Sequence, residues 1–183
     1  EVWPNLEVYF HGGVSFNPYR SQFANLLPQG INYMETYNAS EGFFGLQDNK
    51  NLDSLLLLLD YGIYYEFIPF EELNSENPTI INLSQVKKNT NYAMIISTNG
   101  GLWRYMIGDT IMFTEIKPFR FKISGRTKSF INLCGEELIS DNSDRAIEVA
   151  CKATDAIVSE YTAGPYMGET RYHEWIIEFD KAP

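Results

Sequence analysis

Short runs of aromatic and β-branched residues recur along most of this chain, separated by turn-forming residues. Aromatic residues make up 15% of the 183-residue sequence, with 12 Tyr and 12 Phe. Such residues favour strands over helices, and short strands at close spacing are typical of antiparallel β structure. The pattern is densest between about residues 50 and 124. The sequence therefore predicts an α+β protein with a β-rich, antiparallel, barrel-like middle region.

The individual runs predict the positions of strands in the first two thirds of the chain. We expect strands at residues 6–10, 31–37, 55–60, 63–70, 79–83, 91–98, 102–105, 110–116 and 119–124. The runs at 55–60 and 63–70 flank Tyr61 and Gly62, so they are predicted to pair with each other. The segment 99–101 (NGG) predicts a tight turn, because Asn and Gly adopt positive φ at little cost.

The pattern changes near residue 136, after which a helix and two more strands are predicted. Asp141 or Ser143 can cap a helix that runs to about Thr154, with apolar residues on one face. Late strands are expected at residues 156–161 and 173–179, around a loop at Gly164 and Pro165. The shift in composition predicts a domain boundary between residues 125 and 140.

Charge, hydropathy and cysteine content exclude several classes of protein. The net charge is −10 and no third of the chain is basic, which disfavours nucleic-acid binding. The longest purely apolar run is residues 55–59, too short for a transmembrane helix, and no leader peptide is visible. Cys134 and Cys151 are too few for a disulfide framework. We expect a cytoplasmic protein without a membrane partner and, since the chain lacks an initial Met, a fragment of a longer one.

The segment 37–45 (YNASEGFFG) presents an aromatic ring, a hydroxyl and a carboxylate within five residues. This combination suits nucleotide binding: Tyr37 can stack on a base, and Ser40 can bind a phosphate. Glu41 can hold Mg²⁺ against that phosphate, because Mg²⁺ prefers oxygen ligands. The alternative is a polar turn at the end of a strand, which these residues taken alone favour.

Two later segments offer further polar groups. In 103–109 (WRYMIGD), Asp109 can accept hydrogen bonds from ribose hydroxyls, although a Gly-Asp hairpin turn is the alternative. In 125–128 (GRTK), Arg126 can reach ribose or phosphate oxygens, although a surface turn with solvated charges is what this segment taken alone favours. His11 and His173 have no partners at the spacing of a catalytic triad or a metal site.

Taken together, the order and spacing of the three segments resemble the adenylate-forming superfamily, which includes the acyl-CoA synthetases. That family's motifs are Tyr-Gly-x-Thr-Glu, Tyr-x-x-Gly-Asp and Gly-Arg-x-Asp/Lys, the last followed by a glycine nine residues after the arginine, as Gly135 is here. Segments 101–109 and 119–121 (FRF) most closely resemble the auxin-responsive acyl-acid-amido synthetases, the Gretchen Hagen family, and their bacterial homologues. Asn38 and Ser40 depart conservatively from the first motif.

The resemblance implies a role for each matching residue. Tyr37 would stack on adenine. Ser40 and Glu41 would bind the α-phosphate and Mg²⁺. Asp109, assisted by Arg126, would bind the ribose. Lys128 would be the hinge about which a C-terminal domain rotates, and Gly12 and Gly13 would line the adenine or acyl pocket, where the lack of a Cβ permits close approach. The family's phosphate loop and catalytic lysine have no counterpart in these 183 residues.

The resemblance also implies an organisation and an activity. Residues 1–124 would be the C-terminal part of a large adenylation domain, 125–140 the hinge region and 141–183 the start of a small C-terminal domain. The parent enzyme would use ATP and Mg²⁺ to adenylate a carboxylic acid and would pass the acyl group to an amino acid. Two alternatives remain at this point: an acyl-CoA ligase, which the lack of a basic patch disfavours, and a non-catalytic folded module.

Overall fold

The computed structural model describes residues 3–13, 16, 19–127, 130, 131, 138–168 and 170–183. Strands dominate, and they are β1 Val8–His11, β2 Asn32–Ala39, β3 Gly42–Leu46, β4 Leu55–Leu57, β5 Ile63–Pro69, β6 Ile81–Asn82, β7 Asn91–Thr98, β8 Tyr105–Ile116, β9 Phe119–Arg126, β10 Phe130–Ile131, β11 Leu138–Ile139, β12 Ile157–Met167 and β13 Arg171–Lys181. The helices are α1 Arg20–Leu26 and α2 Ser140–Thr154, and short 3-10 turns occur at Phe70–Glu72 and Leu83–Gln85. No helix in the described ranges combines the length and hydropathy needed to cross a membrane.

The chain divides into two compact units. Unit 1 comprises residues 1–14 and 28–128, and unit 2 comprises residues 15–27 and 129–183. Unit 1 contains the sheet built from β1 to β9, whereas α1, α2 and β10 to β13 belong to unit 2.

The sheet of unit 1 has nine strands in the order β1-β2-β3-β4-β9-β8-β7-β5-β6. β1 and β2 run parallel and every other neighbouring pair is antiparallel, so the sheet is mixed. The predicted α+β, β-rich character is confirmed. A barrel is not confirmed, because β1 and β6 end the order and are not paired with each other among the described strands.

Aromatic and aliphatic side chains from the sheet form the core of unit 1. Phe67, Phe113 and Phe121 have no exposed surface. The rings of Phe67 and Phe113 meet edge to face, with 5.3 Å between their centroids, an arrangement that aromatic pairs favour. Burying each such ring stabilises the fold by about 1.5–3 kcal/mol, which explains why the aromatic runs adopt strands here.

The predicted pairing of residues 55–60 with residues 63–70 is wrong. β4 pairs with β3 and β9, whereas β5 pairs with β6 and β7. β5 and β7 match over seven consecutive residue pairs, from Ile63 opposite Thr98 to Pro69 opposite Tyr92. That ladder offers β5 far more hydrogen bonds than the three-residue β4 could.

Two details of the predicted strands also differ. Residues 102–104 precede β8 instead of forming a strand, since Arg104 has a positive φ of 46°. The run at 79–83 contributes only β6 and the start of a 3-10 turn. The tight turn at 99–101 is confirmed: the Gly101 amide donates to the Thr98 carbonyl at 3.2 Å, and Gly101 has φ +103°.

In unit 2, α2 is followed by a long two-stranded ribbon. The helix begins at Ser140, so Asp141 and Ser143 lie inside it and do not precede it as predicted caps. Gly164 and Pro165 lie within β12, with Pro165 opposite His173, so the predicted loop there is wrong. A two-stranded ribbon has two free edges, and a strand edge tolerates a residue without an N–H.

Candidate functional site

The candidate site in unit 1 centres on Asp109, which a bulge in β8 aims towards β9. Ala93 of β7 pairs with Thr110 and Ile95 pairs with Met106, so residues 107–109 together face a single residue of β7. Gly108 has φ +92°, a conformation that glycine adopts without strain. On the other side of β8, Asp109 pairs directly with Arg126. Bulges often re-aim side chains beside active sites.

Both oxygens of the Asp109 carboxylate contact neighbouring side chains. The Tyr37 hydroxyl donates a hydrogen bond to Oδ2 at 2.6 Å, and the Arg126 Nε lies 3.2 Å from Oδ1. The Asp109 side chain is 13% exposed and that of Arg126 is 71% exposed. A carboxylate has about four lone-pair sites, so each oxygen has the capacity to accept one further hydrogen bond besides these contacts. Two such acceptors side by side match the two hydroxyls of a ribose.

Tyr37 lies in the hydrophobic core beneath this carboxylate. It is 5% exposed, and its ring centroid lies 5.0 Å from that of Phe44 and 6.0 Å from that of Phe121. Burial, followed by the hydrogen bond to Asp109, raises the pKa of Tyr37, so the hydroxyl remains a neutral donor. A ring with so little exposed surface offers no face to a base in this conformation. The adenine-stacking role of Tyr37 stays a prediction, and the contact that the structure shows is the one made by its hydroxyl.

Ser40 and Glu41 form the turn between β2 and β3. Ser40 is exposed and Glu41 is half-buried. The Tyr105 hydroxyl donates to the Glu41 Oε1 at 3.3 Å. The part of the chain that the structure describes has no group of three or more His, Cys, Asp or Glu residues that could hold a metal ion. One accessible carboxylate suits Mg²⁺ only as part of a coordination shell completed by water and substrate phosphates.

Of the other predicted site residues, Gly12 and Gly13 lie just after β1. A Cβ on Gly12 would lie 2.5 Å from the Thr36 carbonyl oxygen, so close packing against β2 by itself requires glycine there. Gly13 has φ +89°, which favours glycine for conformational reasons. Lys128 and Gly135 lie outside the described residues.

The structure thus brings three of the predicted residues into direct contact and ties a fourth to the same strand. Tyr37 and Arg126 each contact Asp109. Glu41 is linked to β8 by its hydrogen bond from Tyr105. Sequence reasoning missed Tyr105, although it is the tyrosine of the Tyr-x-x-Gly-Asp motif. No signal in one sequence shows which carboxylate that hydroxyl meets.

Arg104 is a second residue that sequence reasoning missed. Its Nε and Nη2 donate to the two Glu66 carboxylate oxygens at 3.0 and 3.1 Å, and its backbone N–H donates to the Ser97 hydroxyl. This forked pair anchors the chain where β8 begins.

An open depression of ≈ 520 Å³ lies elsewhere on unit 1. Its lining includes the half-exposed Tyr64 and the exposed Trp103, together with Ser97 and Asn99. Tyr37, Glu41, Asp109 and Arg126 do not line it. The contacts of Asp109 with Arg126 and of Glu41 with Tyr105 are therefore separate from this depression.

Comparisons with known proteins show which class of protein this chain resembles. Residues 56–126, which carry β5 to β9, all but the first residue of β4, and both Asp109 and Arg126, match the GH3 family central domain. A solved structure of the GH3.15 acyl acid amido synthetase superimposes with a TM-score of 0.71 at 18% identity, covering 99% of this chain and 33% of that chain. A variant of the Coronafacic Acid Ligase from Pectobacterium brasiliense gives a TM-score of 0.58 at 12% identity, covering 96% and 34%. These two likenesses show a shared fold.

Sequence comparison points to more particular relatives. The chain is 28% identical over 172 residues to the jasmonoyl--L-amino acid synthetase JAR4 of Nicotiana attenuata, covering 87% of this chain and 28% of that protein. It is 27% identical over 121 residues to the indole-3-acetic acid-amido synthetase GH3.3 of Arabidopsis thaliana, covering 62% and 20%. The chain is thus similar in sequence to these amido synthetases and, over residues 56–126, to the GH3 family central domain. The chain spans less than a third of the length of these two relatives.

Proposed function

We propose that the protein containing this chain is an ATP-dependent acid-amido synthetase, and that unit 1 binds the ribose of the nucleotide. The observation that carries this proposal is the Asp109 carboxylate, whose two oxygens contact Tyr37 and Arg126 and can each accept a further hydrogen bond. It lies inside the segment that matches the GH3 family central domain. The relatives named as amido synthetases give the proposal its reaction class.

The proposed reaction has two steps. In the first, a carboxylate oxygen of the acid attacks the α-phosphorus of ATP; a new P–O bond forms, the bond to the β-phosphate oxygen breaks, and pyrophosphate leaves. In the second, the amine nitrogen of an amino acid attacks the acyl carbon, the bond to AMP breaks, and the nitrogen loses a proton. Adenylation makes AMP the leaving group in place of a poorly departing carboxylate oxygen.

The described residues contribute binding and orientation to the first step. Asp109 would accept hydrogen bonds from the ribose hydroxyls, and Arg126 would offset the charge of the carboxylate and reach towards the phosphates. Ser40 would donate to the α-phosphate. Glu41 would help hold Mg²⁺, which, when bound, offsets negative charge on the phosphates. Its single accessible carboxylate fits a metal ion carried by the nucleotide.

Further parts of the proposal concern the organisation of the whole protein. We infer that residues 1–124 belong to a large adenylation domain, with Lys128 at a hinge and residues 141–183 in a small C-terminal domain. Support for a boundary near Lys128 comes from the change from unit 1 to unit 2 after residue 128, although residues 15–27 also belong to unit 2. Five points remain predictions: barrel-like closure of the sheet, a pocket-lining role for Gly12 and Gly13, a bacterial origin, a cytoplasmic location and the status of a fragment.

Pyrophosphate exchange tests the first step directly. The full-length protein, given ATP, Mg²⁺ and a panel of carboxylic acids, should incorporate labelled pyrophosphate into ATP with at least one acid. Adding a panel of amino acids should then yield an amide and AMP. Exchange with no acid, in a folded protein, would overturn the proposal, whereas exchange followed by a thioester with coenzyme A and no amide would favour the acyl-CoA ligase.

The ribose role is tested by Asp109→Asn, which keeps the shape of the side chain and removes its charge. Charge-assisted hydrogen bonds contribute about 1.5–3 kcal/mol each, so we expect at least about a tenfold loss of ATP affinity in equilibrium binding. Asp60→Asn is the matched control, since Asp60 is exposed and lies outside the site. Equal ATP affinity in both variants would remove Asp109 from the nucleotide site.

A further inference from the structure

We propose that Tyr37 and Tyr105 are positioning residues that fix Asp109 and Glu41 relative to each other through two reciprocal hydrogen bonds. The inference rests on the proposed function for what the two carboxylates bind. Tyr37, on β2, donates to Asp109 on β8; Tyr105, on β8, donates to Glu41 in the turn after β2. Each segment therefore supplies one donor and one carboxylate to the other.

The two segments are not neighbours in the sheet. Strands β3, β4 and β9 lie between β2 and β8 in the strand order. No backbone ladder therefore joins 37–41 directly to 105–109; the sheet connects them only through the three intervening strands. The two tyrosine hydroxyls bridge these segments directly, and on each segment the donor and the carboxylate lie four positions apart. Such a pair of bonds resists both sliding and twisting of one segment against the other.

The two hydrogen bonds differ in burial and length. The Tyr37 bond is 2.6 Å long and begins from a buried ring, whereas the Tyr105 bond is 3.3 Å long and begins from a ring that is 41% exposed. Hydrogen bonds to charged groups are stronger when they are short and shielded from water. We expect the loss of the Tyr37 hydroxyl to have the larger effect.

The charge of Glu41 also acts on Tyr37. It contributes, after burial and Asp109, to raising the pKa of the Tyr37 hydroxyl, which keeps that hydroxyl protonated. Both tyrosines can give one proton only, so each must aim it at a single carboxylate oxygen. The remaining lone pairs of Asp109 and Glu41 are thereby turned towards a ligand in a fixed arrangement. Two carboxylates positioned in this way would bind the ribose and the metal-bound phosphates of one nucleotide.

Equilibrium binding of nucleotides to the full-length protein separates the two roles. The variants are Tyr37→Phe and Tyr105→Phe, which keep the rings and the packing, with Tyr64→Phe as the matched exposed control. The ligands are ATP, 2′-deoxyATP and 3′-deoxyATP, each titrated at several Mg²⁺ concentrations. Tyr37→Phe should reduce the preference for ATP over the deoxynucleotides by about fivefold to tenfold. Tyr105→Phe should leave that preference intact and raise the Mg²⁺ concentration needed for half-maximal binding by about threefold.

A double-mutant cycle with Asp109→Asn distinguishes positioning from general destabilisation. If Tyr37 acts through Asp109, the double variant should lose no more ribose preference than Asp109→Asn alone. Additive losses, or unchanged ribose preference in Tyr37→Phe, would overturn the inference while leaving the proposed function standing. A wild-type protein with no preference for ATP over the deoxynucleotides would instead overturn the proposed function at Asp109. Wild-type Mg²⁺ dependence in Tyr105→Phe would remove Tyr105 from the pair.

Discussion

Unit 1 and unit 2, each considered by itself, bury their apolar residues to very different extents. In unit 1, the side chains of Phe67, Phe113 and Phe121 are fully buried. In unit 2, Ile147 and Val158 are buried, but Ile176 is 68% exposed. The ribbon of unit 2 also carries its stacked aromatic pairs, Tyr161 with Trp175 and Tyr166 with Tyr172, on a sheet of two strands. A nine-stranded sheet can enclose a core, whereas a two-stranded ribbon has too little area to do so.

The ion pairs of the two units also differ in how far their side chains are buried. In unit 1, Arg120 donates two hydrogen bonds to the carboxylate of Asp48, at 2.6 and 2.9 Å, and its side chain is 9% exposed. In unit 2, Lys152 pairs with Glu148 on the surface of α2, and the lysine is mostly exposed. The comparison teaches that the stability of unit 1 depends on groups withdrawn from water, whereas the described surface pairs of unit 2 contribute little.

The largest expected effect is on the core of unit 1. Phe113→Ala should lower the free energy of unfolding by about 3–5 kcal/mol, because it removes a fully buried ring and leaves a cavity. In unit 2, Ile176→Ala should change it by no more than about 0.5 kcal/mol. Hydrogen exchange of the β7 and β13 amides, combined with chemical denaturation, measures both. Comparable losses in the two variants would break the comparison.

An intermediate effect is expected at the Arg120–Asp48 pair. Asp48→Asn leaves the largely buried guanidinium without its carboxylate, so we expect a loss of about 2–3 kcal/mol. The hydrogen bonds from Arg120 lower the pKa of Asp48 in the folded protein. The stabilisation is therefore complete above the ordinary aspartate pKa of about 3.9 and is lost as the pH falls below it.

Denaturation curves from pH 7 down to pH 2 check this prediction. The difference in unfolding free energy between wild type and Asp48→Asn should be constant near neutral pH and should shrink in the acid range. A difference that persists undiminished at pH 2 would show that the pair is not the source of the stability.

The smallest effect is expected on α2. Lys152→Gln removes the charge pair with Glu148 at nearly unchanged helix propensity, and it should cost about 0.3–0.5 kcal/mol. The cost should disappear in 1 M NaCl, because salt screens exposed charges. Thermal unfolding at low and high salt is the measurement. A loss above about 1 kcal/mol would mean that unit 2 relies on its surface charges more than the comparison allows.

The sequence predicts the presence of the strands better than their partners. Aromatic and β-branched runs mark β5, β7, β8 and β9 because those side chains suit a half-buried, pleated surface. Which strand pairs with which depends on ladders between distant residues, such as Leu55 opposite Phe121. A local pattern contains no information on that pairing. The same limit explains why Gly164 and Pro165 suggested a loop, although a ribbon edge accommodates them.

The candidate site was predictable in its members but not in its geometry. The motifs identify Asp109 and Arg126, and these two residues do face each other across β8 and β9. The orientation of Tyr37 depends on an irregularity between Tyr37 and Asn38 in the pairing of β2 with β3. A shift of one residue exchanges the two faces of a strand, so the spacing of a motif cannot show whether its aromatic ring faces the core or a ligand.

The strand order of unit 1 has a consequence for how the protein is synthesised. β9 is the last strand of the sheet to leave the ribosome, and it is the strand that joins β4 to β8. Until it emerges, β1 to β4 and β5 to β8 have no shared ladder, and each leaves an unpaired edge next to apolar side chains. Long-range pairing of this kind is slow and exposes nascent chains to aggregation. β9 also carries Phe121 and ends at Arg126, so the nascent chain completes its sheet and its candidate site with the same eight residues.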